Sequence, residues 1–438
     1  MELKGKRLLF IGAQEMMCSA VETAKKMGVY TIVADYNKNF PAKRIADEKI
    51  LISTSDTEAL LKVCKEKKID GVFSGYSETN QFYTLNLCEK GGYPYYGTRM
   101  QVETYAEKNN FKRCCEKYGV PTVPEYHLTS DLKAEDLEKL EYPIVIKPAD
   151  SYSGKGITIC SNGNMLPDAI ETALKVSKNK RFLAEKYMDD EHYDIITAYY
   201  SVQNGIAALS AMVDRYMYEF GETRRLNTAL LYPSQYLDRF ISEADEKIRF
   251  MLKETGVKDG TLFIEGGVNA DGFWFWESGF RLCGCQQNIF PSHINGVDIQ
   301  EMLICHALTG KMADENKMSL EDPYFKGKTA CNGIIFLNKG KISRIEGIEE
   351  IKAMRQVVNF SQLCEIGDEI TADKIGTLNQ SFSRFHIITE NKSELFGIIE
   401  EIFKTLKVED ENGKNMIINT FRFDEMKKEM RWARRKHL

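Results

Sequence analysis

The sequence predicts a multidomain protein of the α/β and α+β classes, and three observations support this prediction. Strand-like runs alternate with helix-like runs through residues 1–106, a second block of strands and helices fills residues 107–312, and hairpins dominate residues 313–438. Strands separated by helices are typical of a parallel, doubly wound sheet, whereas hairpins form antiparallel sheets. With 438 residues, the chain is long enough for about three domains of ordinary size.

We therefore predict three domains. Residues 1–106 are expected to form a Rossmann-like domain, and residues 107–312 a central domain. Residues 313–438 are expected to form a small β-rich domain. Its last segment, MKKEMRWARRKHL, is locally basic and predicts a solvated surface helix.

The composition argues against several classes of protein. A net charge of -5 and a pI near 5.9 disfavour a general nucleic-acid binder. No stretch approaches the roughly 20 apolar residues that a membrane-spanning helix needs, and the apolar run near the N-terminus is too short for a secretory signal. We therefore expect a cytoplasmic protein with neither nucleic acid nor a membrane among its partners.

The eleven cysteines include no CxxC pair and there are only six histidines, so neither a zinc framework nor a disulfide network is predicted. In a reducing compartment such cysteines are mostly small buried hydrophobes. Cys283 and Cys285 lie close in sequence to the candidate site described below. Packing is the favoured interpretation for these two residues, and a reactive thiol is the alternative.

The first domain begins with the strand RLLFIGA, the helix AVETAKKMG and the strand YTIVADYN. The turn between the first strand and helix reads GAQEMM, which has one glycine where the dinucleotide-binding fingerprint requires three. A Rossmann-like domain that does not bind NAD is therefore predicted. Ser77, Glu78 and Asn80 follow the strand DGVFSGYS, and they are candidates for contacts with a small acceptor substrate.

The central domain begins with a helix and a strand that carry lysines. Lys108 and Lys112 lie on one face of a helix that ends at Gly119, and the strand PIVIK places Lys147 at its end. The loop SYSGKG follows, rich in backbone and hydroxyl donors that can surround phosphate oxygens. The loop lacks the spacing of a Walker A motif, and taken alone such a loop is usually a plain turn.

Two carboxylates follow in the stretch TLFIEGGVNADGFWFWESGFRL. Glu265 and Glu277 lie on two successive strand-like runs joined by the turn NADG, and Arg281 follows four residues after the second glutamate. Mg²⁺ usually binds through one or two carboxylates plus substrate phosphates, so this hairpin predicts a magnesium–nucleotide site. Two solvated acids on a strand pair are the alternative interpretation.

The order of these motifs, together with the segment EKYM at residues 185–188, resembles the ATP-grasp superfamily. The likeness is strongest to the branch that includes biotin carboxylase and the L-amino-acid ligases, and it covers nearly the whole chain. The resemblance implies a Rossmann-like domain, an ATP-grasp domain of two subdomains, 107–187 and 188–312, and a small C-terminal domain. It also implies ATP and Mg²⁺ as cofactors, with Mn²⁺ as an alternative metal ion.

The resemblance assigns roles to individual residues. It implies that Lys108 and Lys147 contact ATP phosphates, that Glu265 and Glu277 bind the metal, and that Arg281 acts in catalysis with Lys147. The remaining implied nucleotide contacts are the phosphate loop of Ser151, Ser153, Gly154, Lys155 and Gly156, the adenine contacts Glu185, Lys186, Tyr187 and Met188, and the ribose contact Asp194.

The chain departs from the pattern of the superfamily at one position. The signature that usually reads E-x-N-x-R is ESGFR here, so Gly279 replaces an asparagine that commonly completes the metal shell. An altered metal shell is therefore expected. Candidate substrate contacts are Arg215, Arg224, Arg225, Glu78 and Asn288, and a structural role is the alternative for each arginine and for His293.

The activity implied by the resemblance is that of an ATP-dependent carboxylate–amine ligase. Such an enzyme forms an acylphosphate that an amine captures, and it releases ADP and phosphate. A biotin carboxylase-like or carbamoyl-phosphate-synthase-like carboxylating enzyme is the first alternative, disfavoured because no Q-V-E run follows Arg281 and no M-K-M motif occurs. A non-catalytic nucleotide-binding protein is the second alternative. The substrates are expected to be small molecules, and a homodimer is left open.

Overall fold

The computed structural model describes residues 2–150, 156–188, 193–220 and 224–426. The predicted basic tail helix falls almost entirely on residues 427–438, which lie outside the described residues. Within the described part of the chain, no helix is long and apolar enough to cross a membrane.

The first part of the chain forms a four-stranded parallel sheet with the strand order β3-β2-β1-β4. Its strands are β1 Arg7–Ile11, β2 Tyr30–Ala34, β3 Glu48–Ile50 and β4 Gly71–Phe73. Its helices are α1 Met17–Lys26, α2 Ala42–Ile45, α3 Thr57–Glu66, α4 Glu78–Gly91 and α5 Arg99–Ala106. Alternate residues of β1 enter two different cores, Leu8 and Phe10 on one side and Leu9 and Ile11 on the other. The sheet is therefore covered on both faces, as the doubly wound prediction requires.

A second, antiparallel sheet follows, with the strand order β5-β8-β6-β7. Its strands are β5 Glu125–Tyr126, β6 Ile144–Pro148, β7 Thr158–Cys160 and β8 Phe182–Lys186. The helices of this part are α6 Lys108–Tyr118, α7 Ala134–Leu137 and α8 Leu166–Val176. The apolar face of α8, with Ile170 and Ala173, packs on Ile144 and Ile146 of the sheet.

The largest sheet has nine strands, with β13-β12-β9-β10-β11-β14-β18-β16 in order and β20 paired to β14. Strands β15, β17 and β19 form a separate small sheet. The strands are β9 Asp194–Gln203, β10 Ile206–Phe220, β11 Arg224–Tyr232, β12 Gly260–Val268, β13 Phe273–Gly279, β14 Thr329–Leu337, β15 Gly340–Glu346, β16 Val357–Gln362, β17 Glu369–Ile370, β18 Ser381–Thr389, β19 Lys407–Asp410 and β20 Ile417–Ile418. The helices are α9 Leu237–Phe240, α10 Glu246–Glu254, α11 Ile289–Asn295, α12 Ile299–Thr309, α13 Ile348–Lys352, α14 Lys392–Thr405 and α15 Phe423–Met426.

The nine-stranded sheet continues across the predicted boundary at residue 313. Strand β11 pairs with β14, with Leu231 opposite Cys331. Tyr216 and Leu231 from the central part share one apolar core with Ile335 and other residues beyond the boundary. The C-terminal part is therefore bonded to the central part through both the backbone ladder and the core.

This continuity predicts that a fragment ending at residue 312 does not fold normally. Removing β14 leaves the edge of β11 unpaired, and it exposes Ala229 and Leu231, which are 0% and 3% exposed in the full chain. We expect the fragment to aggregate, measured by size-exclusion chromatography beside the full chain. A monodisperse fragment with a cooperative thermal transition would contradict this expectation.

Candidate active site

A cleft of about 210 Å³ lies between the second sheet and the edge of the nine-stranded sheet. One part of its lining is apolar and suits a flat ring, with Val123, Val145, Ile157, Met188 and Trp276. The other part is charged or polar and consists of Lys108, Lys147, Glu185, Lys186, Tyr187 and Glu277. A small cleft that joins an apolar slot to a cluster of charged groups suits a ligand with a ring at one end and an anionic group at the other.

Glu185 is the most enclosed charged group of the cleft, with 2% of its surface exposed. Lys112 Nζ lies 2.8 Å from Glu185 Oε1, and Lys147 forms an ion pair with Glu185 Oε2. Burial raises the pKa of the Glu185 carboxyl, but the charges of Lys147 and Lys112 outweigh this effect and hold the pKa below its ordinary value. Two buried ammonium groups are thus held side by side at the base of the cleft.

Lys112 was given no role by the sequence reasoning, although its position on the same helical face as Lys108 is the signal that could have found it. It is 2% exposed, and its ammonium also lies 3.0 Å from Glu125 Oε2. The structure places it at the same carboxylate as Lys147. It therefore belongs to the candidate phosphate-binding cluster.

Residues 186–188 provide the backbone beside the apolar slot. The Lys186 N–H donates to the carbonyl of Pro124 at 3.1 Å, and the Tyr187 N–H donates to the carbonyl of Pro143 at 3.1 Å. These two donors are therefore used within the protein. Met188 lines the slot, and its N–H has no backbone acceptor within the described residues, so it is the donor of this segment that a bound ring could use.

The two predicted metal-binding glutamates are direct cross-strand partners, because Glu265 of β12 pairs with Glu277 of β13. Side chains in such a pair lie on the same face of the sheet and have Cβ atoms roughly 5 Å apart, so like charges repel. Each carboxylate has its own cation: Arg215 Nη1 lies 2.5 Å from Glu265 Oε2, and Lys108 Nζ lies 3.7 Å from Glu277 Oε1.

The pair fits a hard divalent cation, since Mg²⁺ takes oxygen ligands and often only one or two protein carboxylates. Within the described residues, no group of three or more His, Cys, Asp or Glu side chains is placed to hold a metal ion. Any Mg²⁺ at Glu265 and Glu277 would therefore need its other ligands from water or from a bound phosphate.

The structure shows a steric reason for glycine at position 279. A Cβ atom at this position would lie 2.5 Å from ring atoms of Phe263, its cross-strand partner on β12. The phenyl ring therefore occupies the space that an asparagine side chain would need. The guanidinium of Arg281 lies over the same ring, with its Cζ 5.0 Å from the ring centroid.

Arg281 is fixed by three further contacts. Its Nη2 donates to Glu78 Oε2 at 3.2 Å, and its Nη1 donates to the carbonyls of Tyr76 at 3.0 Å and Leu282 at 2.9 Å. Burial raises the pKa of the Glu78 carboxyl to about 7, and Arg281 offsets part of this effect. Asn288 is also buried, and its Oδ1 has no hydrogen-bond partner within the described part of the chain. Glu78 and Arg281, predicted from distant sequence segments, are thus in contact.

The arginines predicted to contact a substrate carboxylate have other partners or lie outside the described residues. Arg215 is bound to Glu265, Asn227 and Thr197, so its guanidinium serves the carboxylate pair. Arg225 is partly exposed and pairs with Glu219 at 2.7 Å. The phosphate-loop prediction for Ser151, Ser153, Gly154 and Lys155, and the prediction for the Arg224 side chain, lie outside the described residues.

Asp194 is not among the described residues that line the cleft; it is 7% exposed, its carboxylate accepts a hydrogen bond from Tyr236, and its ribose contact stays a prediction. Ser77 caps α4 by accepting from the Asn80 N–H at 3.3 Å, which gives both residues a local structural role. His293 is exposed, and its Nδ1 lies 2.9 Å from the carbonyl of Ile289 one helical turn earlier.

Two comparisons agree on the fold of this chain. The family model "Carbamoyl-phosphate synthase L chain, ATP binding domain" matches residues 107–196, which include the lysines and Glu185. Solved ATP-grasp structures superpose on nearly the whole chain. The predicted resemblance to the ATP-grasp superfamily is confirmed, and the chain has the ATP-grasp fold.

The curated relatives include a subunit of a carboxylase. The chain is 29% identical over 203 residues to the mitochondrial methylcrotonoyl-CoA carboxylase subunit alpha of Dictyostelium discoideum, a match that covers 42% of this chain and 29% of that protein. The chain spans about half or less of the length of the curated relatives that it matches most strongly.

Among solved structures, the biotin carboxylase domain of Hydrogenobacter thermophilus 2-oxoglutarate carboxylase, in complex with MgADP and bicarbonate, has a TM-score of 0.76 at 18% identity. The match covers 94% of this chain and 91% of that chain. The L-amino acid ligase of Bacillus licheniformis has a TM-score of 0.74 at 18% identity, covering 93% of this chain and 100% of that chain.

The contact between Gly279 and Phe263 predicts the effect of restoring asparagine. Gly279→Asn should destabilise the protein by about 1–3 kcal/mol, because the new side chain must displace a packed ring. Combined with Phe263→Ala, it should cost less than the sum of the two single changes, since they share one space. Urea unfolding of the two single variants and the double variant measures this. Gly397→Asn is the control, because nothing lies within 4 Å of a Cβ there; strict additivity would contradict the prediction.

Burial of Glu78 predicts a pH dependence of stability. Its pKa of about 7 in the folded protein exceeds the ordinary 4.5, so between these values the folded state binds a proton that the unfolded state has lost. The free energy of unfolding should therefore fall as pH rises from 4.5 to 7, relative to Glu78→Gln, by on the order of 2–3 kcal/mol. Urea unfolding of both proteins across pH 4.5–8 measures the difference, and a pH-independent difference would contradict it.

Proposed function

We propose that the protein is an ATP-dependent carboxylate–amine ligase that forms a carbon–nitrogen bond and releases ADP and phosphate. The main supporting observation is that Lys112 and Lys147 converge on Glu185 in the cleft, and that Glu277, which lines the same cleft, pairs across two strands with Glu265. This arrangement offers cations for phosphate oxygens and carboxylates for a metal ion. The L-amino acid ligase structure, which shares the fold, supports this class of reaction.

ATP fits the cleft in one orientation. The adenine ring would occupy the slot between Val145 and Met188, with the Met188 N–H as a donor, and the phosphates would approach the lysines. Lys108, Lys112 and Lys147 would offset the phosphate charge. Glu185 would then act chiefly by holding Lys112 and Lys147 in place, because both of its oxygens are already bound to them.

Glu265 and Glu277 would hold Mg²⁺, which would neutralise charge on the phosphates during transfer. Arg281 lies just beyond Glu277 and is fixed by Glu78 and two carbonyls, so its guanidinium is oriented before any ligand binds. An oriented guanidinium can stabilise the phosphoryl group as a substrate carboxylate attacks it. The acylphosphate that results reacts with an amine without a protein nucleophile.

Candidate substrate contacts lie where three parts of the chain meet. Glu15, from the turn after β1, is largely buried and hydrogen-bonded to Ser361, and the charge of Arg384 on β18 acts on it. Burial raises the pKa of the Glu15 carboxyl, and Ser361 and Arg384 lower it. A carboxylate and a guanidinium complement the ammonium and carboxylate of an amino acid. An α-amino acid is therefore the substrate class that these two groups favour.

A carboxylating enzyme is the second candidate, because the carboxylase relatives share the fold and one was crystallised with bicarbonate. Bicarbonate dependence of ADP release separates it from the ligase. A non-catalytic nucleotide-binding protein would bind Mg-ATP and release no ADP. The cytoplasmic location and the homodimer stay predictions.

The ligase proposal predicts amino-acid-dependent release of ADP and phosphate from Mg-ATP. Glu277→Gln should lower the rate by roughly 100-fold or more, because it removes a charge that a metal ion needs. Coupled ADP and phosphate assays with a panel of amino acids measure this.

The matched control is Glu243→Gln, an exposed glutamate that pairs with Arg239 away from the cleft. It should leave the rate unchanged. Release of AMP and pyrophosphate would contradict the acylphosphate route, and equal rates in the wild type and Glu277→Gln would contradict the assigned site.

A further inference from the structure

Two thiols that follow Arg281 closely in the sequence lie in contact with each other. Cys283 Sγ and Cys285 Sγ are 3.2 Å apart, and both are reduced in the structure. Cys285 is partly exposed and Cys283 is 8% exposed. Such a contact brings two sulfurs within about 1.2 Å of the separation in a disulfide, which is near 2.0 Å. Gly284 lies between them, and a Cβ there would meet nothing closer than 3.7 Å, so the connecting residue has room to rotate.

The surroundings of the pair favour a thiolate on Cys285. Tyr199 OH lies 3.0 Å from Cys285 Sγ. Burial raises the pKa of Cys285, but hydrogen bonds from Cys283 and Tyr199 and the charge of Arg384 outweigh burial and lower the pKa. The pKa of Cys283 is raised by its contact with Cys285 and by burial, so this residue keeps its proton. One activated sulfur thus lies beside one protonated sulfur.

From this contact we propose that Cys283 and Cys285 form a modification site, a dithiol that a peroxide converts to an intrachain disulfide. The Cys285 thiolate attacks a peroxide oxygen, so an S–O bond forms, the O–O bond breaks and hydroxide leaves. Cys283 sulfur then attacks Cys285 sulfur as it loses its proton, and the second hydroxide departs as water. Two thiols are oxidised by two electrons, and one hydrogen peroxide is reduced to two waters.

The loop that carries the pair is bonded to the candidate active site. Arg281 Nη1 donates to the carbonyl of Leu282, directly before Cys283. From the other side, Asn332 and Arg384 donate to the carbonyls of Cys285 and Gly284. Because a disulfide must move this segment, and the Leu282 carbonyl in it holds Arg281, the disulfide should also lower ADP release. That consequence rests on the proposed function, whereas the disulfide itself does not.

Peptide mass analysis tests the proposal on the full chain. The tryptic peptide 282–311 contains Cys283, Cys285 and Cys305. After limited hydrogen peroxide, denaturation and iodoacetamide, we expect this peptide to carry one alkyl group and to have lost two hydrogens. Dithiothreitol should restore three alkyl groups. Cys18, in the separate peptide 8–25, is the internal control, because it is also partly exposed but burial raises its pKa to about 12.

Variants assign the two sulfurs. In Cys283→Ser, oxidation should stop at a Cys285 sulfenic acid that dimedone traps. Cys285→Ser should form no disulfide, and Cys305→Ser should be oxidised as the wild type is. Cys285 should be oxidised at least about 10-fold faster than Cys18. Equal rates for Cys18 and Cys285, or no disulfide in peptide 282–311, would overturn the proposal. ADP release is measured on the same samples: an inactive reduced protein would reject the proposed function and leave the mass result to decide the dithiol.

Discussion

Two like charges placed opposite each other across a strand pair set the main electrostatic constraint on this structure. Glu265 of β12 and Glu277 of β13 are direct cross-strand partners, and their repulsion must be offset by cations. Arg215 from β10 supplies one and Lys108 from α6 supplies the other. These two cations come from different parts of the chain, so the carboxylate pair fixes how α6 and β10 are arranged around the hairpin.

The same principle operates at Glu185 with the signs reversed. One buried carboxylate holds two ammonium groups that would otherwise repel each other at the base of the cleft. A buried carboxylate without partners would take up a proton, and the two lysines keep it ionised. Both clusters are therefore arranged before a ligand arrives. An incoming polyphosphate would replace carboxylates as the partner of the lysines, and a metal ion would replace cations as the partner of Glu265 and Glu277.

Much of this site was predictable because its residues lie at the ends of regular elements. The strand run that ends at Lys147, the helical face of Lys108 and the hairpin of Glu265 and Glu277 are local patterns, and the fold class follows from the same periodicities. Contacts between distant segments were not predictable in this way. Glu15 and Arg384 are 369 positions apart in the sequence, and no local pattern reports their proximity. Strand β3 was also missed, because its sequence EKI is short, polar and only partly buried.

Gly279 and Phe263 connect the candidate metal site to Arg281. Phe263 fills the space above Gly279, and its ring supports the guanidinium of Arg281. One ring therefore both excludes a side chain at residue 279 and contacts the arginine. With two protein carboxylates that are already ion-paired, free Mg²⁺ would have to displace Arg215 and Lys108 unaided. Bound together with ATP, it would bring phosphate oxygens that attract Lys108 and complete its own shell. Under the proposed function, metal and nucleotide should thus bind as one complex.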